Sequence, residues 1–258
     1  ILIYSGGKTL MRVGYLTDKG MKRPKNEDAV KVLKDSRFFM LADGVGGNKS
    51  GEIASTAAVD FLADYVYNNP IELVEGSEAI FLYFENAVNF VNESILQLSN
   101  TKPEYVGMAT TLVFAYVDRK ILYVGNVGDS RVYFIHKDEV HQITDDHTYV
   151  NDLVKMGAIT RNEADHHYKK NVITRAIGGN AYNNPDCFNI YMEPSDRVLI
   201  CSDGLYEELS DKEILDIFNE STDMQDCAEH MVERANLNGG NDNVSVICID
   251  MLEESNEQ

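Results

Sequence analysis

The chain of 258 residues has no tryptophan, only 5 prolines, and only 23 Lys and Arg against 42 Asp and Glu. The resulting net charge of -19 repels phosphate backbones and anionic lipid, which argues against nucleic acid and membrane surfaces as partners. No apolar run approaches the roughly 20 residues that a membrane helix needs. The first ten residues, ILIYSGGKTL, lack the long apolar stretch of a secretory signal. We therefore expect a cytoplasmic protein, and we expect it to be a monomer.

Cysteine is scarce as well. The four cysteines form no CxxC pair and have no histidine placed to complete a zinc site. They are Cys187, Cys201, Cys227 and Cys248. Two of them lie in apolar, strand-like runs, where a reduced thiol behaves as a small hydrophobic group. We expect reduced, buried thiols in a reducing compartment.

No linker divides the interior of the chain. Hydrophobic residues make up 44% of the sequence and charged residues 25%, which is typical of a globular domain. We predict a single domain over residues 11–252, because a regular pattern begins at Met11. Residues 1–10 are interpreted as an upstream or vector-derived extension. Residues 253–258 are interpreted as a solvated tail.

Amphipathic helices are predicted where apolar residues repeat every three to four positions. This period runs through 52–68 and again through 77–99, where Ser77 is a candidate N-cap. A third helix is expected near 224–237, before two glycines that end it. Capping boxes predict two further helix starts, at Thr160 with Glu163 and at Ser210 with Glu213.

Short runs rich in β-branched and aromatic residues predict strands. They span 30–33, 38–42, 110–117, 121–127, 131–135, 139–143, 188–192, 197–202 and 244–251. Short turns between several of them favour hairpins and antiparallel sheets. Helices that arrive in pairs argue against a doubly wound parallel fold. We expect an α+β fold: a central sandwich of two antiparallel β-sheets, flanked on both outer faces by pairs of antiparallel α-helices.

An acidic residue stands beside a glycine at the end of three predicted strands, and a fourth acidic residue precedes the last strand. They are Asp43 with Gly44, Asp129 with Gly128, Asp203 with Gly204, and Asp242. If these strand ends converge, each pair of carboxylates repels by roughly 4 kcal/mol at an intermediate dielectric. Divalent cations would neutralise them. Oxygen ligands without His or Cys favour Mg²⁺ or Mn²⁺, and two such ions can activate a water for attack on phosphorus.

A cation stands close to two further acids in the sequence RPKNED. Arg23 precedes Glu27 by four residues and Asp28 by five. Its guanidinium can bind two phosphate oxygens at once, which a lysine cannot do. Arg23 is therefore a candidate phosphate-binding residue.

Six motifs follow one another along the chain. They are RPKNED at 23–28, ADGVGG at 42–47, GMATTL at 107–112, GDSR at 128–131, CSDGL at 201–205 and GNDNVSV at 240–246. In order and approximate spacing they resemble the metal-dependent Ser/Thr protein phosphatases of type 2C, and the compact bacterial members in particular. The resemblance covers residues 11–250.

The resemblance implies hydrolysis of phosphoserine and phosphothreonine on proteins by a metal-activated water. It also implies Mn²⁺ or Mg²⁺ as cofactors, with two core ions and a third, weaker ion. The partners would be phosphorylated proteins, among them a Ser/Thr kinase that the enzyme opposes.

Residue roles are implied by the same resemblance. Asp43 would bridge the two core metals and the Gly44 carbonyl would join one of them, while Asp203 and Asp242 would hold the other. Glu27 and Asp28 would act directly or through water.

The remaining implied roles concern the rim of this centre. Asp129 would share the third ion with Asp203, and Arg23 would bind the substrate phosphate. Ser202 and Asn243 flank the ligands and would orient them.

The sequence departs from the family pattern in two places. Animal members carry a histidine, considered a general acid, where this chain has Val45. The segment 146–171 corresponds to the mobile flap of bacterial members but reads HYKKN at 167–171. We expect its histidines, His147, His166 and His167, to be solvated. We expect Thr110 and Thr111 to begin a strand, and Arg131 to pair with a carboxylate.

Two other functions fit parts of the pattern. A catalytically silent module that binds phosphoproteins would need a missing ligand, and every core acid position is filled. A two-metal nuclease or phosphodiesterase would need a basic groove, which the charge of -19 argues against.

Overall fold

The strands of the protein form two separate sheets. In a computed structural model of the chain, residues 2–5, 8–45, 50–179 and 183–252 are described. The strands are β1 (Leu2–Ser5), β2 (Lys8–Asp18), β3 (Asp28–Leu33), β4 (Phe38–Asp43), β5 (Leu112–Asp118), β6 (Ile121–Val127), β7 (Arg131–His136), β8 (Glu139–Gln142), β9 (Asp186–Tyr191), β10 (Arg197–Cys201) and β11 (Val244–Met251).

Helices of very different length connect these strands. They are α1 (Gly51–Asn68), α2 (Ser77–Ser99), α3 (Tyr149–Lys155), α4 (Arg161–Asp165), α5 (Asp203–Tyr206), α6 (Asp211–Glu220) and α7 (Met224–Asn238). Two single 3₁₀ turns, Ile71–Leu73 and Pro103–Tyr105, precede α2 and β5 respectively.

All strand pairs are antiparallel. One sheet has the order β1-β2-β11-β10-β7-β8 and the other the order β3-β4-β5-β6-β9. The inner faces of the two sheets share one apolar core, to which Phe39 and Leu41 contribute from β4, and Ile247 and Ile249 from β11. Because side chains alternate along a strand, the other residues of these strands face outward and need a second covering layer.

Helices provide that layer on both sides. The α1–α2 pair packs on the five-stranded sheet, where Phe84 meets Phe114 edge-on with ring centroids 4.8 Å apart. On the other side, Phe218 of α6 and Met231 of α7 pack against Cys248 of the six-stranded sheet. β11 is consequently buried along its whole length. The predicted α+β sandwich with helix pairs on both outer faces is confirmed.

Several predicted boundaries are confirmed and others are wrong. Both capping boxes form as expected. Ser77, however, is the first residue of α2 and does not cap it, because Gly76 occupies the N-cap and the Ser77 hydroxyl lies 3.2 Å from that of Tyr123. The strand expected from Thr110 begins at Leu112, since Thr110 bridges Gly44 on one side and Ile177 on the other.

The structure describes the predicted start of the domain but not the predicted tail. β2 begins at Lys8, and its residues 11–18 pair with β11, so the strand crosses the predicted start of the domain at residue 11. The extents of the extension and of the domain stay predictions, and the predicted tail at 253–258 lies outside the described residues. Among the described residues, no helix combines the length and apolar character that a bilayer crossing requires.

All four cysteines are free thiols. Three of them, Cys201, Cys227 and Cys248, are buried in the core between the six-stranded sheet and its helices, and Cys187 is half-buried.

Candidate active site

Eight of the ten predicted site residues line one cleft at an end of the sandwich, whereas Asp28 and Ser202 are buried and do not line it. The cleft encloses about 300 Å³. It is lined by Arg23, Glu27, Asp43, Gly44, Asp129, Asp203, Asp242 and Asn243, together with Val45, Thr111, Asn171 and Ile173. Both sheets contribute, because Asp43 ends a strand of one sheet and Asp203 follows a strand of the other.

Asp43 is held by its backbone, which leaves its carboxylate available. It is the last residue of β4 and lies opposite Asp28 in the β3–β4 register. Its N–H donates to Thr111 Oγ1 at 2.9 Å, and its carbonyl accepts from Thr110 Oγ1 at 2.8 Å. A Cβ on Gly44 would lie 2.4 Å from the Gly51 carbonyl oxygen, so only glycine allows the chain to pass here.

Ser202 links the two sheets beneath the cleft. Its hydroxyl donates to Asp28 Oδ2 at 2.8 Å and accepts from the Ser245 N–H at 3.0 Å. Asp28 belongs to the five-stranded sheet, whereas Ser202 and Ser245 belong to the strand ends of the other. The next residue, Asp203, starts α5.

The loop that carries Arg23 is held by Asn243. The Asn243 side chain accepts from the Glu27 N–H at 2.8 Å and donates to the carbonyls of Lys19 and Lys25 at 2.8 and 2.9 Å. The Arg23 guanidinium lies 2.5 Å from Asp242 Oδ2 and is 44% exposed. An accessible cation therefore stands at the mouth of an acidic cleft.

The acids of the cleft destabilise one another when ionised. Burial, followed by repulsion from the neighbouring acids, raises the pKa of Asp43 and of Asp203 well above the ordinary value. Burial is also the main cause that raises the pKa of Asp28 and of Asp129 to about 6. Groups of like charge in a low-dielectric site behave in this way unless a cation compensates them.

Two carboxylate oxygens show that a cation fits this cleft. Among the described residues, Asp28 Oδ1 and Asp203 Oδ1 are buried and accept no hydrogen bond. A buried, unpartnered carboxylate oxygen is costly, and a divalent cation that prefers oxygen ligands would satisfy it.

The donors surround the cleft without forming a closed cage. In the part of the chain that the structure describes, no three acidic, histidine or cysteine side chains converge on one point. This arrangement suits ions such as Mg²⁺, which keep several water ligands and take only a few from the protein.

Sequence reasoning missed residues that act through hydrogen bonds. Thr111 was predicted only as part of a strand, yet its hydroxyl accepts from Asp43 and lies 2.8 Å from Ser130 Oγ. The motif GMATTL was the signal available. The prediction that His147 is solvated is wrong: it is 2% exposed and hydrogen-bonded. Arg131 pairs with Asp146 at 2.6 Å, as expected.

A second cavity adjoins the cleft beneath the segment 146–171. It measures about 260 Å³ and shares Asp129 and Asp203 with the first. Arg131 forms one wall, with its guanidinium 3.5 Å from the centroid of the Tyr206 ring.

Known proteins share this sequence and fold. The profile of the protein phosphatase 2C family matches residues 22–240. Protein phosphatase PhpP of Streptococcus pneumoniae is 38% identical over 251 residues, which cover 96% of this chain and 100% of the relative.

Solved structures agree with this match. Serine/threonine phosphatase Stp1 from Staphylococcus aureus superposes with a TM-score of 0.86 at 31% identity, covering 98% of both chains. The catalytic domain of the phosphatase PstP, solved with two manganese ions, superposes with a TM-score of 0.81 at 32% identity, covering 95% of this chain and 99% of that one. The chain therefore belongs to the protein phosphatase 2C family of metal-dependent Ser/Thr protein phosphatases.

Proposed function

We propose that the protein hydrolyses phosphoserine and phosphothreonine on proteins, with two core Mn²⁺ or Mg²⁺ ions and a third, weaker ion. One observation carries the proposal: acids from both sheets line a single cleft with an accessible arginine, and a buried oxygen of Asp203 has no partner among the described residues. Such a cleft attracts divalent cations, and a phosphate monoester can then bind between the cations and the arginine.

The family resemblance supplies the ligand assignment, and the lining of the cleft supports it. Asp43 and the Gly44 carbonyl would hold one core ion, and Asp43, Asp203 and Asp242 would hold the other together with water ligands. Asp28 and Glu27 would contribute directly or through water, and Asp129 with Asp203 would hold the third ion. When bound, the cations neutralise the cleft and lower the pKa of a water molecule.

Ser202 and Asn243 keep these ligands in place. The Ser202 hydroxyl fixes one oxygen of Asp28, which leaves the other oxygen for an ion or its water. Asn243 ties the loop of Arg23 and Glu27 to the start of β11, next to Asp242. Both residues therefore orient groups of the cleft without contacting the substrate.

Arg23 binds the substrate phosphate. Its guanidinium is already at the cleft and is held there by Asp242 at 2.5 Å. Two of its N–H groups match two phosphate oxygens in a bidentate contact. In the transition state, the same contact stabilises negative charge on the transferred group.

The proposal is tested with a phosphothreonine peptide and chelator-treated protein. Phosphate release should require added Mn²⁺ and cease when EDTA is added. Asp43→Asn and Asp203→Asn should abolish turnover. Arg23→Ala should raise KM more than it lowers kcat, since it removes a phosphate contact. Full activity in either aspartate variant would refute the assignment of the ligands.

The same assay separates the two other candidate functions. A silent phosphoprotein-binding module would bind the peptide without releasing phosphate at any Mn²⁺ concentration. A nuclease or phosphodiesterase would prefer single-stranded DNA or a phosphodiester over the phosphopeptide. We expect activity on the phosphomonoester alone.

We also propose the cellular setting of the enzyme. Its substrates are phosphorylated proteins, and among them is a Ser/Thr kinase whose action it opposes. It acts in the cytoplasm, as a monomer. A phosphoproteome of a deletion strain, compared with that of a strain complemented with Asp43→Asn, identifies the substrates.

A further inference from the structure

His147 clamps the backbone beside Asp129. It is 2% exposed, in the loop before α3. The imidazole Nδ1 accepts a hydrogen bond from the Gly128 N–H at 3.0 Å, and the backbone N–H of His147 donates to the Gly128 carbonyl at 3.0 Å. One residue thus holds both polar groups of Gly128, the neighbour of Asp129 in the chain.

These contacts fix the protonation of the imidazole. Because Nδ1 accepts from a backbone N–H, it carries no proton, and the proton of the neutral ring lies on Nε2. Nε2 faces Asp186 Oδ2 at 3.1 Å, and the other oxygen of Asp186 accepts from Arg175 at 2.6 Å. Asp186 therefore selects the form of His147 that can hold Gly128.

The backbone around Asp129 is held at three successive residues. Gly128 is bound by His147, the Asp129 carbonyl accepts from the Tyr206 hydroxyl at 3.1 Å, and Ser130 Oγ lies 2.8 Å from Thr111 Oγ1. Gly128 has φ +117°, and a Cβ there would lie 2.6 Å from Thr111 Cβ. These contacts hold the turn with Asp129 in the lining of the cleft.

We propose that His147, oriented by Asp186, is a positioning residue that holds the Gly128–Asp129 turn so that Asp129 binds a divalent cation. The proposal rests on the proposed function, in which Asp129 is a ligand of the third ion. Groups that hold a ligand in place commonly change metal affinity 10–100-fold when removed. His147 touches neither the substrate nor the ion.

Two substitutions test the roles of the two ring nitrogens of His147 separately. The side-chain amide of asparagine places an oxygen near the position of Nδ1, so His147→Asn keeps the acceptor for the Gly128 N–H. The longer His147→Gln reaches Asp186 instead and loses that acceptor. His136→Gln is the matched control, because His136 forms another histidine–carboxylate pair, with Asp196 at 2.7 Å, and lines neither the cleft nor the adjoining cavity.

Mn²⁺ binding to chelator-treated protein is measured by calorimetry and by the EPR signal of free Mn²⁺. We expect His147→Gln to weaken the weakest site about tenfold, and His147→Asn to stay within about threefold of wild type. Asp129→Asn should lose that site, and His136→Gln should bind as wild type does. The KM for the phosphopeptide at saturating Mn²⁺ should be unchanged in both His147 variants.

Two results would overturn the role of His147. One is wild-type Mn²⁺ affinity at every site in His147→Gln; the other is equal weakening by the Asn and Gln variants, which would indicate a merely structural role. Should His147→Gln not fold, Asp186→Ala takes its place. Without Asp186, the ring proton can move from Nε2 to Nδ1, where it blocks the acceptor for the Gly128 N–H. Wild-type Mn²⁺ affinity in Asp186→Ala would also overturn the role of His147. A wild-type protein that binds Mn²⁺ but releases no phosphate would refute the proposed function. The Mn²⁺ affinities of the His147 variants would still decide whether His147 positions Asp129.

Discussion

Individual carboxylates in the cleft are placed where ionisation is costly without a cation. Asp28 and Asp129 are buried, and the pKa of each is about 6. Asp203 lies beside them with an unpartnered oxygen. In the metal-free protein, ionising these buried groups lowers the free energy of unfolding. A bound cation removes this cost, so single residues affect both stability and metal affinity.

The pH dependence of stability should expose this cost. In the metal-free protein, the pKa of Asp129 is about 6, against an ordinary 3.8. Between these two values the folded state binds a proton that the unfolded chain releases, so the contribution of Asp129 to stability rises as pH falls from about 7 towards 4. We expect Asp129→Asn to be more stable than wild type at pH 8 in EDTA, with an advantage that shrinks by up to about 3 kcal/mol by pH 4.

Urea unfolding at a series of pH values measures that difference. The difference in free energy of unfolding between the two proteins cancels the contributions of distant carboxylates, because these titrate alike in both. An advantage that stayed constant or grew on acidification would contradict the raised pKa of Asp129.

Sequence motifs predicted the acids of the cleft, but not the residues that hold them. Three of these acids, Asp43, Asp129 and Asp203, stand beside a glycine at a strand end, which is a local pattern. His147 contacts Gly128 across 19 positions, and Thr111 contacts Asp43 across 68. Such contacts depend on the packing of the sheets, and no local pattern distinguishes a buried histidine from a solvated one.

At the scale of elements, the serines at the starts of α2 and α6 differ in whether they cap the helix. Ser210 caps α6 through a complete capping box with Glu213. Ser77, a candidate N-cap that has Ile80 and not a Glu three residues later, is the first residue of α2 and makes no cap contact. The difference arises because Gly76, with φ +88°, turns the chain into α2 one residue earlier.

Substitutions at these two serines should therefore differ. Ser210→Ala should lower the free energy of unfolding by about 1 kcal/mol, because it removes a cap. Ser77→Ala removes no cap and loses only the 3.2 Å contact with the Tyr123 hydroxyl, so we expect a smaller loss of about 0.5 kcal/mol. Urea unfolding of both variants at one pH gives the comparison. Equal losses would mean that the capping box contributes nothing specific, and phosphatase activity should be unchanged in both.

The long helices were predictable because their apolar stripes are continuous. β1, β2, α3 and α5 were missed, for identifiable reasons. In β2, Gly14 interrupts the strand pattern; it stands there because α7 packs so closely that a Cβ would lie 1.9 Å from the Met224 carbonyl oxygen. α5 has only 4 residues, too few for any periodicity.

At the scale of the whole molecule, the cleft exists only when both sheets are in place. Asp28 and Asp43 come from one sheet, and Asp203 and Asp242 flank strands of the other. The hydroxyl of Ser202 joins the two sets through Asp28. Cation binding should therefore stabilise the entire domain and not one lobe of it.

Mn²⁺ should raise the free energy of unfolding of the whole protein. At 100 times its dissociation constant, a ligand specific for the folded state adds about 2.7 kcal/mol. We expect one cooperative urea transition by circular dichroism, shifted to higher urea by Mn²⁺ and returned by EDTA. Asp43→Asn should lose most of this shift. A transition in two steps, or one that Mn²⁺ leaves in place, would contradict a cleft shared by both sheets.

The position of β11 has a consequence for synthesis. This last strand lies between β2 and β10, with Met251 opposite Met11, and Asp242 stands just before it. During synthesis, the six-stranded sheet therefore has an open gap and the set of acids is incomplete until β11 has left the ribosome. Phosphatase activity can begin only when β11 has filled the gap between β2 and β10.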